Sequence, residues 1–213
     1  MGLQSDIKAI FTDMMDYDNL YIEGEKVDGN KYMSVKLGNV IKDYVAGLTL
    51  TPSSPVTGTD AGPSGAFTGE ATVSWEITGT TIADKIYAAC TSSSMNNDYF
   101  AEQIGAALDA DAPIWTASLA GMTTPPGSSP TASQDSATIT AVYQSAPVVA
   151  DLKTAFASML SMYNPGDDPN EVFASTLASA VETYYTTAVI SGKGATHLSG
   201  CVFTVTVTVT AQS

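Results

Sequence analysis

A nucleophile with its base, or a set of metal-ligating side chains, would have to be drawn from very few residues in this chain. His197 is the one histidine, and a general base needs a nucleophile and an orienting carboxylate within hydrogen-bond reach. Its surroundings, Gly194-Ala195-Thr196-His197-Leu198-Ser199-Gly200, supply no acid, and the nearest thiol is Cys201. Cys90 is the other cysteine, and the pair lies outside any C-x-x-C spacing. Both read as reduced, small apolar residues; one disulfide between them stays open, but a Cys/His zinc site does not. Gly62-Pro63-Ser64-Gly65-Ala66 approaches G-x-S-x-G without its second glycine in place, so Ser64 reads as a turn residue rather than a nucleophile. Gly192-Lys193-Gly194 lacks the earlier glycine and the following Ser or Thr of a phosphate loop, which makes Lys193 a loop lysine.

The acidic run Asp13, Asp16, Asp18, Glu23, Glu25 and Asp28 has the composition of a Ca²⁺ loop. Leu20 occupies the third ligand position, however, and Tyr21 stands where the loop needs Gly, so a solvated acidic loop is the better reading. Asp167-Asp168 belongs to a helix start. Trp75 and Trp115, Tyr44 and Tyr184, and Phe11, Phe156 and Phe173 all fall on apolar faces and are assigned to the core. No catalytic, cofactor-binding or metal-ligating residue is nominated, and no cofactor is expected.

The elements that would position any site come from a chain of 213 residues and 22.0 kDa whose 44% hydrophobic content suffices for a core. Twenty-two acidic residues face 8 basic ones, all of them Lys, for a net charge of -14. Such a body is a poor match for phosphate, so direct nucleic-acid binding is not expected. No run of about 18 apolar residues occurs, and the opening residues alternate charge with apolarity. Neither a membrane span nor a secretory signal is therefore predicted, nor a myristoylation start, since Asp6 stands where Ser or Thr is required.

Comparing the chain with itself yields its clearest pattern. Residues 5–15 (Ser-Asp-Ile-Lys-Ala-Ile-Phe-Thr-Asp-Met-Met) line up with 150–160 (Ala-Asp-Leu-Lys-Thr-Ala-Phe-Ala-Ser-Met-Leu). Each carries apolar residues at helical spacing: Ile7, Ile10, Phe11 and Met14, or Leu152, Ala155, Phe156 and Met159. A second helix follows each. Asp168-Pro169-Asn170-Glu171 reads as N-cap, N1 proline and acidic N3 ahead of Phe173, Leu177, Val181 and Tyr184. Asp28 caps the counterpart with Met33, Leu37, Ile41 and Tyr44. The middle of the chain repeats the scheme loosely, with Ile82, Ile86 and Ala89, then Phe100, Ile104 and Leu108.

After each helix pair comes a short β-prone piece and later a strand of strict alternation, as in Ala71, Val73, Trp75 and Ile77, or Phe203, Val205, Val207 and Val209. In the middle copy these are 114–122 and Ala137, Ile139, Ala141 and Tyr143. The expected fold is α+β: three tandem helix-helix-strand-strand units packed together, antiparallel sheet pieces with amphipathic helices on one face. The units are 1–79, 80–146 (the more divergent) and 147–213. Residues 51–70 and 123–136, rich in Pro, Gly, Ser and Thr, are expected to be long loops, either linkers or arms that order against a partner.

Phe-Ala-x-x-(Ile/Leu)-x-x-Ala-(Leu/Val) at 100–108 and 173–181, followed by Thr/Val alternation at the C-terminus, resembles small virion structural proteins of tailed bacteriophages. That resemblance implies a capsid auxiliary or cement protein, or a neck or tail ring protein. It would be present in many copies, made in the host cytoplasm and located in the virion. Its partners would be other virion proteins, contacted through edge strands such as 201–210 and through the two loops. An adhesive or ligand-binding module, Ca²⁺-assisted through the acidic run, is the alternative.

Overall fold

Apolar residues three and four apart build each helix around one buried stripe. The computed structural model describes residues 2–54, 56–59, 66–124, 131–136, 138–160, 166, 168–195 and 202–211. The helices are α1 (Leu3–Asp13), α2 (Gly29–Gly47), α3 (Thr80–Cys90), α4 (Asn97–Ala110), α5 (Ser145–Met159) and α6 (Pro169–Thr186). The predicted spacings are buried: Ile7 and Ile10; Met33, Leu37 and Ile41; Ile82, Ile86 and Ala89; Phe100, Ile104 and Leu108; Leu152, Ala155 and Phe156; Phe173, Leu177, Val181 and Tyr184. Asp168 Oδ1 accepts the N–H groups of Asn170 at 3.1 Å and Glu171 at 3.2 Å, with Pro169 as the first helical residue. Asp28 Oδ1 accepts from Lys31 N–H at 2.9 Å, and Asn96 does the same for α4 through Tyr99 N–H at 2.9 Å.

The strands are β1 (Tyr21–Ile22), β2 (Glu25–Lys26), β3 (Thr49–Pro52), β4 (Val56–Thr59), β5 (Ala66–Glu76), β6 (Ile114–Thr124), β7 (Thr131–Ser136), β8 (Thr138–Val142), β9 (Val189–Ala195) and β10 (Val202–Thr210). The fold is therefore mixed α+β with antiparallel pairing in every ladder. Compactness divides the chain otherwise than at 79 and 146. A helical unit comprises Met1–Gly47, Ile77–Ala112 and Gln144–Tyr185, and a strand unit comprises Leu48–Glu76, Pro113–Tyr143 and Thr186–Ser213. Each unit draws one stretch, within a few residues, from each of the segments 1–79, 80–146 and 147–213.

Within the helical unit, α2 lies against α1 and α3, and α4 against α3 and α5. A row of rings continues the packing. Phe100 and Phe156 have centroids 6.0 Å apart, Phe156 and Phe173 5.6 Å, and Phe173 meets Phe11 edge-on at 5.0 Å, which joins α4, α5, α6 and α1. The closest approach is between α2 and the start of α3. A Cβ on Gly38 would stand 2.3 Å from the Gly79 carbonyl oxygen, and Gly79 itself caps α3 with φ of 72°.

In the strand unit the order is β7-β6-β5-β4-β10-β9-β8, with β3 also paired to β10. The two ends of that order, β7 and β8, are separated only by residue 137 in the chain, and β7 also approaches β9 as β8 approaches β6. The sheet thus curls back on itself. Val205, Val207 and Val209 are buried while Thr206 and Thr208 are exposed, as alternation requires. Trp75 and Trp115 sit directly across from each other on β5 and β6, centroids 4.9 Å apart.

Two expectations change. Most described residues of 51–70 and 123–136 are strand rather than loop, in the end of β3, β4, the start of β5, the end of β6 and β7, because their threonines pair as well in a ladder as they do in turns; residues 55, 60–65 and 125–130 lie outside the described residues. Strand 201–210 is not a free edge: β10 pairs with β9 on one side and with β3 and β4 on the other. Val202–Thr210 therefore belongs to the chain's own sheet, and removal of residues 202–213 takes it away. Their removal is expected to open the strand unit and red-shift tryptophan emission; unchanged emission would contradict this pairing.

Gly38→Ala is expected to cost about 2 to 3 kcal/mol in urea denaturation, because backbone rather than a movable side chain blocks the new methyl. Gly2→Ala, with open space around it, should stay within about 0.5 kcal/mol of the parent.

Candidate functional site

The carboxylates of 13–28 are held locally and do not converge. Tyr32 OH donates to Asp13 Oδ2 at 2.8 Å, Asn19 Nδ2 donates to Asp16 Oδ2 at 2.7 Å, Lys26 Nζ stands 3.8 Å from Asp18 Oδ1, and Asp28 is committed to its helix cap. A 3-10 turn at Tyr17–Asn19 and the β1–β2 hairpin spread them apart, the hairpin turning through Glu23 (φ 50°) and Gly24 (φ 86°). Burial, then the bond to Asp13, pushes the Tyr32 hydroxyl up to about 12. Among the described residues no three His, Cys, Asp or Glu side chains are grouped to hold a metal ion.

Other sequence candidates scatter. His197, Ser64, Cys201 and Asp167 lie outside the described residues. Lys193 is a strand residue rather than a loop lysine, paired across from Thr204 and Thr138. Cys90, the last residue of α3, is a half-buried free thiol whose burial raises its pKa, the opposite of nucleophile activation.

Sequence reasoning missed two structural carboxylates. Asp111, only 6% exposed, accepts the N–H groups of Thr78 at 3.2 Å and Gly79 at 2.7 Å and the Thr78 hydroxyl at 2.9 Å, fastening the end of α4 to the start of α3. Asp109 accepts from Ser145 Oγ at 2.6 Å and Tyr184 OH at 2.9 Å, which draws in the start of α5 and the end of α6. A signal did exist: acids at a helix C-terminus oppose the helix dipole and so ask for partners elsewhere. Neither pair includes the imidazole that would turn a serine into a nucleophile.

These contacts bring together the C-termini of α4 and α6 and the N-termini of α3 and α5. The C-termini of α1, α3 and α5 and the N-termini of α2, α4 and α6 accordingly share the opposite end, where Asp13 at the close of α1 meets Tyr32 in the first turn of α2. Among the described residues of the helical unit, four large apolar side chains are exposed, Met15 (75%), Tyr21 (49%), Met95 (43%) and Leu160 (68%), each just beyond the end of α1, α3 or α5 or in the β1–β2 hairpin. Asp16, Asp18, Glu23, Glu25 and Asp98 are exposed at the same end. Lys8 Nζ lies 2.9 Å from Asp168 Oδ2 and 2.5 Å from Glu171 Oε2, binding α1 to α6. Separately, an open cavity of about 440 Å³ runs between α5 and α6, lined by Asp151, Thr154, Ala155, Ser158, Val172, Ser175, Thr176 and Ser179.

No family model, curated protein or solved structure matches this chain. What the site can do must be taken from its geometry. That geometry offers surfaces and fastenings: Asp109, Asp111 and the Lys8 cluster hold helices together, while the acids of 16–25 stay at the surface.

The Lys8 cluster gives a pH test. Hydrogen bonds from Lys8 hold Asp168 and Glu171 below their ordinary values of 3.8 and 4.5. Their contribution is complete above that range and is lost as acid carries the pH down through the lowered values. Lys8→Met should therefore be less stable than the parent at neutral pH, and the difference should shrink as the pH is taken down below the ordinary values of 4.5 and 3.8, in denaturant titrations followed by circular dichroism.

Proposed function

We propose that this chain is a non-enzymatic structural subunit of a viral particle, a bacteriophage capsid auxiliary or cement protein or a neck or tail ring protein, built of three tandem helix-helix-strand-strand units. One observation carries the reading: the second half of each unit pairs with the first half of the next, and the third returns to the first. In the helical unit α2 packs on α3, α4 on α5, and α6 on α1. In the strand unit β5 pairs with β6, β8 with β9, and β10 with β3.

Some contacts recur at corresponding positions. Phe173 against Phe11 matches Phe100 against Phe156. Lys8 and Lys153 correspond and each pairs with a glutamate of the neighbouring helix, but the glutamates sit one turn apart in register, Glu171 before Phe173 and Glu102 after Phe100. Gly38 against Ala83 matches Gly105 against Val149. Three copies closed in a cycle give three near-equivalent faces, which suits a place where several copies of another protein meet. The polar clusters serve packing rather than chemistry, which favours a building block over an enzyme.

The cycle has a direct test. β5 passes to α3 through residues 77–79 and β8 to α5 through 143–144. Joining residue 213 directly to residue 1 makes Ala211-Gln212-Ser213-Met1-Gly2 the third such joint. A chain so joined and opened between Ser93 and Ser94 is expected to fold with parental circular dichroism and cooperative melting; an unfolded product would count against the repeat. Mass spectrometry of purified particles should find the chain in many copies, and its absence would end the virion assignment.

A further inference from the structure

We propose that the end of the helical unit where α1, α3 and α5 finish and α2, α4 and α6 begin is a docking face for a basic protein surface with apolar recesses. The proposal rests on the structural-subunit reading and names the kind of partner. Its first support is repetition. Met15 and Leu160 hold the same place in the aligned stretches 5–15 and 150–160, and Met95 follows the third helix of the same kind, α3. Single exposed apolar residues are ordinary on a protein surface. Exposure of a long, flexible apolar side chain after each of three corresponding helices is a pattern, and unbranched thioethers adapt readily to a recess.

The second support is charge. Asp16, Asp18, Glu23 and Glu25 surround Met15 and Tyr21 in sequence and are exposed, and Asp98 follows Met95. Asp13 and Asp16 receive hydrogen bonds from the neutral groups of Tyr32 and Asn19, which leave their charge in place. Lys8 is already shared between Asp168 and Glu171. Lys26, exposed in the same hairpin, stands 3.8 Å from Asp18, and Lys31 lies over the Tyr87 ring, but the acids outnumber these lysines and the face is net anionic around apolar points. It repels a second copy of itself, nucleic acid and anionic lipid alike, and complements a cationic polypeptide.

The test uses the full chain with ¹³C-labelled methionine methyls, and three probes: a Lys/Leu amphipathic peptide, a Glu/Leu peptide of equal length, and polylysine. The Lys/Leu peptide should shift the Met15 and Met95 signals, polylysine should do so at least tenfold more weakly, and the Glu/Leu peptide should leave them unmoved. The triple variant M15S/M95S/L160S should weaken Lys/Leu binding about tenfold, and D18N/E23Q/E25Q should weaken it and flatten its salt dependence, both with parental helix content. Shifts confined to other methionines, equal binding of the Glu/Leu peptide, or variants that bind like the parent would overturn the proposal. So would concentration-dependent shifts of the same signals accompanied by dimerisation in sedimentation. A chain that binds the peptide as expected yet is missing from particles would sink the structural-subunit reading and leave this face standing.

Discussion

An unpaired strand edge is costly and hazardous in water, and a lone hairpin has two of them. That constraint organises the strand unit. β6 has β5 on one side and β7 on the other, β10 has β9 on one side and β3 with β4 on the other, and the ends of the order fall on neighbouring stretches of chain. No hairpin could keep this arrangement alone. The helical unit answers the matching demand for apolar faces: each helix presents one stripe, and stripes are covered by helices before and after in sequence, with α6 reaching α1 through Phe173 and Phe11.

Much of the helical part was legible in the residues because its causes are local. Asp168-Pro169-Asn170-Glu171 announces a helix through hydrogen bonds within four residues, and the stripe Phe173, Leu177, Val181 repeats at the helical period. The pairing partners were not legible. Thr57 and Thr68 face each other in a ladder, yet each stands in a stretch whose Pro, Gly and Ser content also suits a loop, and only the partner decides. Gly38 carried a weak signal: glycine in a helix interior costs about 1 kcal/mol against alanine, so it invites the question of what approaches there. The answer, the Gly79 carbonyl, required the fold. Of the candidate face, the composition was readable but the exposure was not. Met15 and Met33 are the same residue type in similar patterns, one at the surface and one in the core.

The lysines are too few to balance the chain, and several are committed. Lys8 and Lys153 make ion pairs with acids of other helices, while Lys31 and Lys36 lie over tyrosine rings. The remaining negative field extends over a Debye length of about 8 Å at physiological salt. It favours dispersed copies in free solution and quick capture by a cationic surface.

Ser53 and Thr206 exchange hydrogen bonds across a separation of 153 residues. As a ribosome extrudes the chain, β3 cannot meet β10 until the residues between them have been made. Early helices can form as they emerge, but the strand that pairs with β3 and β4 comes much later. A nascent chain stalled before residue 202 would thus present an open sheet to chaperones and proteases, and synthesis of β10 becomes the step that seals this sheet.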